Sequence, residues 1–102
     1  MHVSCDVTLE SNEGQVFEWV LFVRASSYAH AVEFVEQATV DRWRGTLRIE
    51  EMFVSLDTNS REKQASGDDE TPGVYATREP RELVQHTPLL KRLIDRLSGG
   101  RG

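Results

Sequence analysis

Residues 16–23 read Val-Phe-Glu-Trp-Val-Leu-Phe-Val, with seven of eight positions apolar. Phe17, Trp19, Leu21 and Val23 share one alternate set; Val16, Glu18, Val20 and Phe22 share the other. A run rich in β-branched and aromatic residues, apolar on both sides, reads as a central strand covered on both faces. The rest of the chain, or a partner, must supply that cover. Upstream, Val3, Cys5, Val7 and Leu9 alternate with Ser4, Asp6, Thr8 and Glu10. This period of two predicts a strand with one buried and one wet face, at or near a sheet edge. Residues 11–15 hold Asn12 and Gly14, which suit a hairpin loop, so the first two strands pair antiparallel.

The period then changes. Ser26 or Ser27 can cap a helix that begins at Tyr28, with Tyr28, Ala31, Val32, Val35 and Ala38 on one face. The helix is expected to stop near Thr39 or Asp41, and Gly45 suits the left-handed turn that closes the helical region. Residues 46–57 form the third strand. Leu47 and Ile49 set one phase, Met52, Val54 and Leu56 the other, and the switch at Glu50-Glu51 predicts a bulge. Residues 58–73 lack any large apolar side chain and read as a flexible acidic loop. Val74-Tyr75-Ala76 reads as a short fourth strand or a mere anchor. Pro80 suits the first turn of a helix, and Thr87-Pro88 restarts one. Leu89, Leu90, Leu93, Ile94 and Leu97 form its apolar stripe, and Gly99-Gly100 ends it. A helix of that length must dock to be stable, on the sheet or on another copy.

The expected architecture is one α+β domain over residues 1–102. It is a small antiparallel sheet in ββαβ order packed with one helix, plus a C-terminal helical segment at 80–98. The place of the third strand, parallel to the second or beyond the first, stays open.

A chain of 102 residues fits one domain with a modest core. The lone cysteine, Cys5, falls on the apolar side of a strand and reads as a small core residue in a reducing cytoplasm. Neither a signal-peptide pattern nor a membrane-spanning run is seen, so a cytoplasmic location is expected. Net charge is −5, unevenly spread: residues 1–70 carry 14 acids and 6 bases, whereas residues 71–102 carry 3 acids and 6 bases. An acidic body argues against direct nucleic-acid binding, which depends on Lys and Arg neutralising phosphates.

Candidate chemistry is sparse. His2, His30 and His86 lie in different elements without metal-ligand spacing, so no metal and no cofactor are expected. No glycine-rich cradle precedes a helix, and no nucleophile stands in a recognised motif, so the expectation is a non-enzymatic protein. Glu50, Glu51, Asp68 and Asp69 are acids that could imitate a phosphate backbone toward a basic groove on another protein. Trp43, between Arg42 and Arg44, favours partial exposure, and Trp and Arg are enriched at binding hot spots.

Arg24-Ala25-Ser26-Ser27-Tyr28-Ala29-His30-Ala31-Val32, followed by Gly45-Thr46-Leu47-Arg48-Ile49-Glu50, resembles a pattern of small phage proteins, anti-CRISPR inhibitors among them. In these a strand ends in Ala-x-Ser, an alanine-bearing helix follows, and Gly-Thr leads into the next strand. The resemblance implies an inhibitor that binds a bacterial CRISPR effector complex and occludes a functional surface. This body is acidic where small type I inhibitors are more basic, so their binding mode does not carry over. The second expectation is a self-associating accessory domain that dimerises through Leu89, Leu90, Leu93, Ile94 and Leu97.

Overall fold

The computed structural model describes residues 1–83. The elements are β1 (His2–Ser11), β2 (Val16–Arg24), α1 (Tyr28–Trp43), β3 (Leu47–Leu56), α2 (Arg61–Ser66) and β4 (Gly73–Glu82). Among the described residues the strands make one antiparallel sheet of order β3-β1-β2-β4, with α1 across one face. The fold is α+β. The crossover through α1 carries the chain from β2 past β1, so β3 pairs with the first strand and not the second.

Pairing register explains the core. Leu56, Val3, Val23 and Val74 stand in one row across the sheet; Val54, Cys5, Leu21 and Thr77 stand in another, and Met52, Val7 and Trp19 follow. Val3, Cys5, Val7, Leu9, Leu21 and Val23 are fully buried, and Ala31 and Val35 of α1 close over them. Each full burial of a Val or Leu side chain contributes about 1.5–3 kcal/mol, so these rows carry most of the fold's cohesion. Burial also pushes the Cys5 thiol up to about 11, which leaves it an inert core group.

The opposite face shows rows Ser55–Ser4–Phe22–Ala76, Phe53–Asp6–Val20–Arg78 and Glu51–Thr8–Glu18–Arg81. This face is polar along β1, which lies one strand in from the edge, near it as expected but not at it. Alternation reports which face is wet, and a central strand alternates whenever one sheet face is open. Of the apolar residues of β2 on this side, Phe22 is covered locally and Val16 and Val20 are half-buried. Phe22 is buried beneath Tyr75, 6.4 Å between ring centroids, and the Arg78 guanidinium, 5.2 Å from its ring.

The bulge is where the pattern places it. Thr8 pairs with Glu51 and Leu9 with Ile49, leaving Glu50 as the extra residue. The extra residue lets Ile49 and Met52 face α1 although they are three apart. Helix α1 is capped by Ser27, whose hydroxyl accepts from the His30 N–H at 3.1 Å. It runs to Trp43, beyond the expected stop, because the last turn packs Trp43 on Trp19. Arg44 (φ 49°) and Gly45 (φ 92°) then turn the chain left-handed into β3.

Two C-terminal expectations are corrected. The stretch 58–73 carries the short helix α2, which has no apolar pattern because polar contacts hold it. Ser60 caps it and also donates to Asp57, and Arg78 grips Glu62 at 3.0 Å. Pro80, expected to open a helix, lies inside β4. Its missing N–H is tolerated on an edge strand, and it sits where the β2 register breaks between Glu18 and Val20. Thus residues 80–82 of the expected C-terminal helical segment are strand; its remainder, with Leu89, Leu90, Leu93, Ile94 and Leu97, lies outside the described residues.

Candidate functional site

The last turn of α1 and the β1–β2 hairpin make the most distinctive surface. Trp19 of β2, buried against the core, meets Trp43 edge-on at 4.7 Å between ring centroids. The Arg42 guanidinium lies 4.8 Å from the Trp43 ring and 5.5 Å from the Trp19 ring. Its Nη2 donates to Glu79 of β4 at 3.1 Å. Such stacking is worth about 0.5–1 kcal/mol at exposed sites, and it fixes a long side chain that would otherwise sweep through many rotamers. Trp43 remains half-buried, so one part of a rigidly held indole faces outward. The Trp19 Nε1–H is buried with no acceptor among the described residues.

Beside Trp43 is an open hollow of about 420 Å³. Phe17, Trp43 and Leu47 supply its apolar lining; Ser11, Asn12, Glu13, Gln15 and Thr46 supply the polar part. The hairpin wall is stiff, because the Ser11 hydroxyl accepts from the Glu13 and Gln15 N–H groups at 3.2 and 3.1 Å. The opposite wall is fixed by Thr46, whose hydroxyl and N–H both donate to the Trp43 carbonyl, at 2.8 and 2.9 Å. A hollow lined by both apolar and polar side chains suits an anchoring side chain. The hydroxyls of Ser11 and Thr46 serve the two turns.

The expected contact residues are therefore split. Arg42 and Trp43 come together, and Arg44 is exposed at the adjoining helix end. The acid pairs do not join them or each other. Glu50 is the bulged residue of edge strand β3, bonded to Arg48 at 3.0 Å, with Glu51 next to it. Asp68 and Asp69 precede the other edge strand, β4, and Asp69 lies 3.7 Å from Arg24. The two acid pairs thus lie toward opposite edges of the sheet and do not form one continuous cluster.

Sequence reasoning missed a second polar cluster, at the other end of the sheet. Arg24, 6 % exposed, stacks 4.3 Å from the Tyr75 ring centroid, and His2 meets Tyr75 edge-on at 5.5 Å. His2 Nε2, Arg24 Nε and the Tyr75 hydroxyl are buried without partners among the described residues. The signal in the sequence was a charged residue ending a strand whose preceding five residues are all apolar. Burial, then the positive charges of Lys63 and Arg24, lower the His2 pKa from its ordinary 6.5. Protonation thus favours the unfolded chain: the stability from neutral His2 is complete above pH 6.5 and is lost as pH falls from there through the lowered folded value. Urea midpoints should drop between pH 7 and pH 5.5, and His2→Gln should shrink that drop; an unchanged drop would assign it to another group.

Among the described residues no three of His, Cys, Asp and Glu converge as metal ligands, and no helix is long and apolar enough to cross a membrane. Compared with family models, curated proteins and solved structures, the chain matches none.

Proposed function

We propose that this chain is a non-enzymatic protein-binding module whose contact surface centres on Trp43 and Arg42, bordered by Arg44 and the hollow beside Trp43. The observation that carries this reading is the half-buried Trp43, braced by Trp19 and Arg42 and lining the hollow with Phe17 and Leu47. A pre-fixed aromatic and guanidinium lose little entropy on binding, and truncating such anchors commonly costs 2 kcal/mol or more. The partner would offer an apolar anchor for the hollow and an acceptor near Arg44. The finer reading, an inhibitor that occludes a functional surface of a bacterial CRISPR effector, rests on the resemblance of residues 24–32 and 45–50.

The test is binding of the full chain to purified CRISPR effector complexes, read by interferometry and by target-DNA binding of the effector. One complex should bind stoichiometrically and lose its DNA, with Arg42→Ala and Arg44→Glu together weakening binding about a hundredfold, or some 2.7 kcal/mol. Effectors that keep their DNA at stoichiometric chain would sink the inhibitor reading. A bound partner indifferent to both substitutions would sink the contact surface.

A further inference from the structure

We propose that the outer edge of β3 pairs with β3 of a second copy, antiparallel about a two-fold axis through Phe53. The surface is independent of Trp43. β3 is an edge strand with β1 as its neighbour, so its outer N–H and C=O groups have no strand partner among the described residues. Proteins usually blunt such edges with charge, proline or bulges. The other edge, β4, has all three: Pro80, two breaks in register with β2, and Arg78, Glu79 and Arg81. From Met52 to Leu56, β3 has none. In this stretch Phe53 is 65 % and Leu56 59 % exposed, the largest exposures among the big apolar side chains described.

Self-pairing follows from the register. To continue the sheet, residues facing α1 must meet residues facing α1, so the two-fold can pass only through a residue of the strand. Centred on Val54, Glu51 would stand opposite Asp57 of the second copy, a like-charge pair that destabilises. Centred on Met52, Phe53 would face the charged Glu51 of the second copy and Val54 the bulged Glu50, whereas centring on Phe53 sets Glu50 only against the terminal Leu56. Centred on Phe53, the two Phe53 rings meet across the axis, Met52 opposes Val54, and Glu51 opposes Ser55. No like charges oppose, and an aromatic cross-strand pair is gained. The arrangement is isologous, so it closes at two copies instead of growing into a filament.

Sedimentation of the full chain over a range of concentrations tests this. Mass should rise toward that of a dimer, and Phe53→Lys, an exposed position where the fold should persist by circular dichroism, should weaken dimerisation at least about tenfold. Phe53→Cys should cross-link two copies on mild oxidation. Directly opposed strand residues lie about 4.5–5.5 Å apart at Cα, within the range a disulfide spans. Thr77→Cys, exposed on β4, should not cross-link. Monomer throughout would overturn the proposal. So would a dimer that Phe53→Lys leaves intact, which would place self-association elsewhere, with residues 84–102 the first to examine.

Discussion

Trp19→Ala should be among the most damaging single substitutions in this chain, costing about 3–5 kcal/mol. Folded domains have only about 5–15 kcal/mol in hand, and each kcal/mol shifts Tm by about 4–8 °C at this size. The reason is position. Trp19 is 2 % exposed, stands opposite Val7 in the β1–β2 ladder, and is the ring on which Trp43 and Arg42 rest. Removing it opens a large void under the last turn of α1, which has no other aromatic ring pair among the described residues. Trp19→Phe should behave differently. It keeps most of the apolar volume and deletes the Nε1–H that has no acceptor among the described residues, a donor whose burial unpaired costs about 1–3 kcal/mol. Urea unfolding should therefore put the Phe variant much nearer the parent than the Ala variant, and near-ultraviolet circular dichroism should lose the paired-indole signal in both. If Trp19→Ala unfolds within about 1 kcal/mol of the parent, Trp19 is not what holds the helix end on the sheet.

That double role shows what was legible in the sequence. Period-two and period-3.6 spacing found β1, β2, α1 and β3, because those elements bury side chains on one wide layer. The bulge at Glu50 was legible for the same reason: an apolar phase that slips by one residue leaves few other options. Elements stabilised by polar contacts left no such trace. Helix α2 rests on Ser60, Asp57 and the Glu62–Arg78 pair, and no periodic apolar residue marks it. β4 was only glimpsed at Val74-Tyr75-Ala76, since its second half is Thr-Arg-Glu-Pro-Arg-Glu, a sequence that reads as surface. Its strand character comes from pairing with β2, through Arg78 opposite Val20 and Arg81 opposite Glu18. Tertiary pairing overrides local preference most easily at an edge, where one side of the strand remains in water.

The candidate site divides along the same line. Trp43 with its flanking arginines was legible as a local motif, but its brace by Trp19, 24 residues upstream, and its link to Glu79 are products of topology. The same topology separates Glu50-Glu51 from Asp68-Asp69, which the sequence had left free to converge. Local composition named the residues; strand order decided which of them act together.

Arg24→Ala should cost about 2–3 kcal/mol, the second large effect, and the sign is not obvious in advance. Burying a cation is expensive, and a buried ion pair can be a net loss relative to an apolar replacement. The partner here is poorly placed to compensate, since Asp69 is exposed and its oxygen is 3.7 Å away. Asp69 is held low chiefly by its bond with the Thr71 N–H, and only lastly by Arg24. Charge pairing therefore contributes little. What Arg24 does supply is contact: its guanidinium covers Tyr75, its Nη1 donates to the Thr71 carbonyl at 3.2 Å, and its stem completes the end of the core. A hydrogen bond from a charged donor is worth about 1.5–3 kcal/mol and the stacking about 0.5–2. Desolvation offsets part of that sum, which leaves the stated net. Asp69→Asn should cost far less than Arg24→Ala. Arg24→Met separates the two contributions, since it keeps the apolar stem over Tyr75 and removes the charge. Its global stability should lie above that of Arg24→Ala by the packing of the stem, yet residues 69–72 lose their tether to the sheet. Limited proteolysis within residues 58–72 should then be faster in Arg24→Met at matched stability. Equal cleavage rates would mean that the bond to Thr71 does not hold this segment, and that Arg24 acts through packing alone.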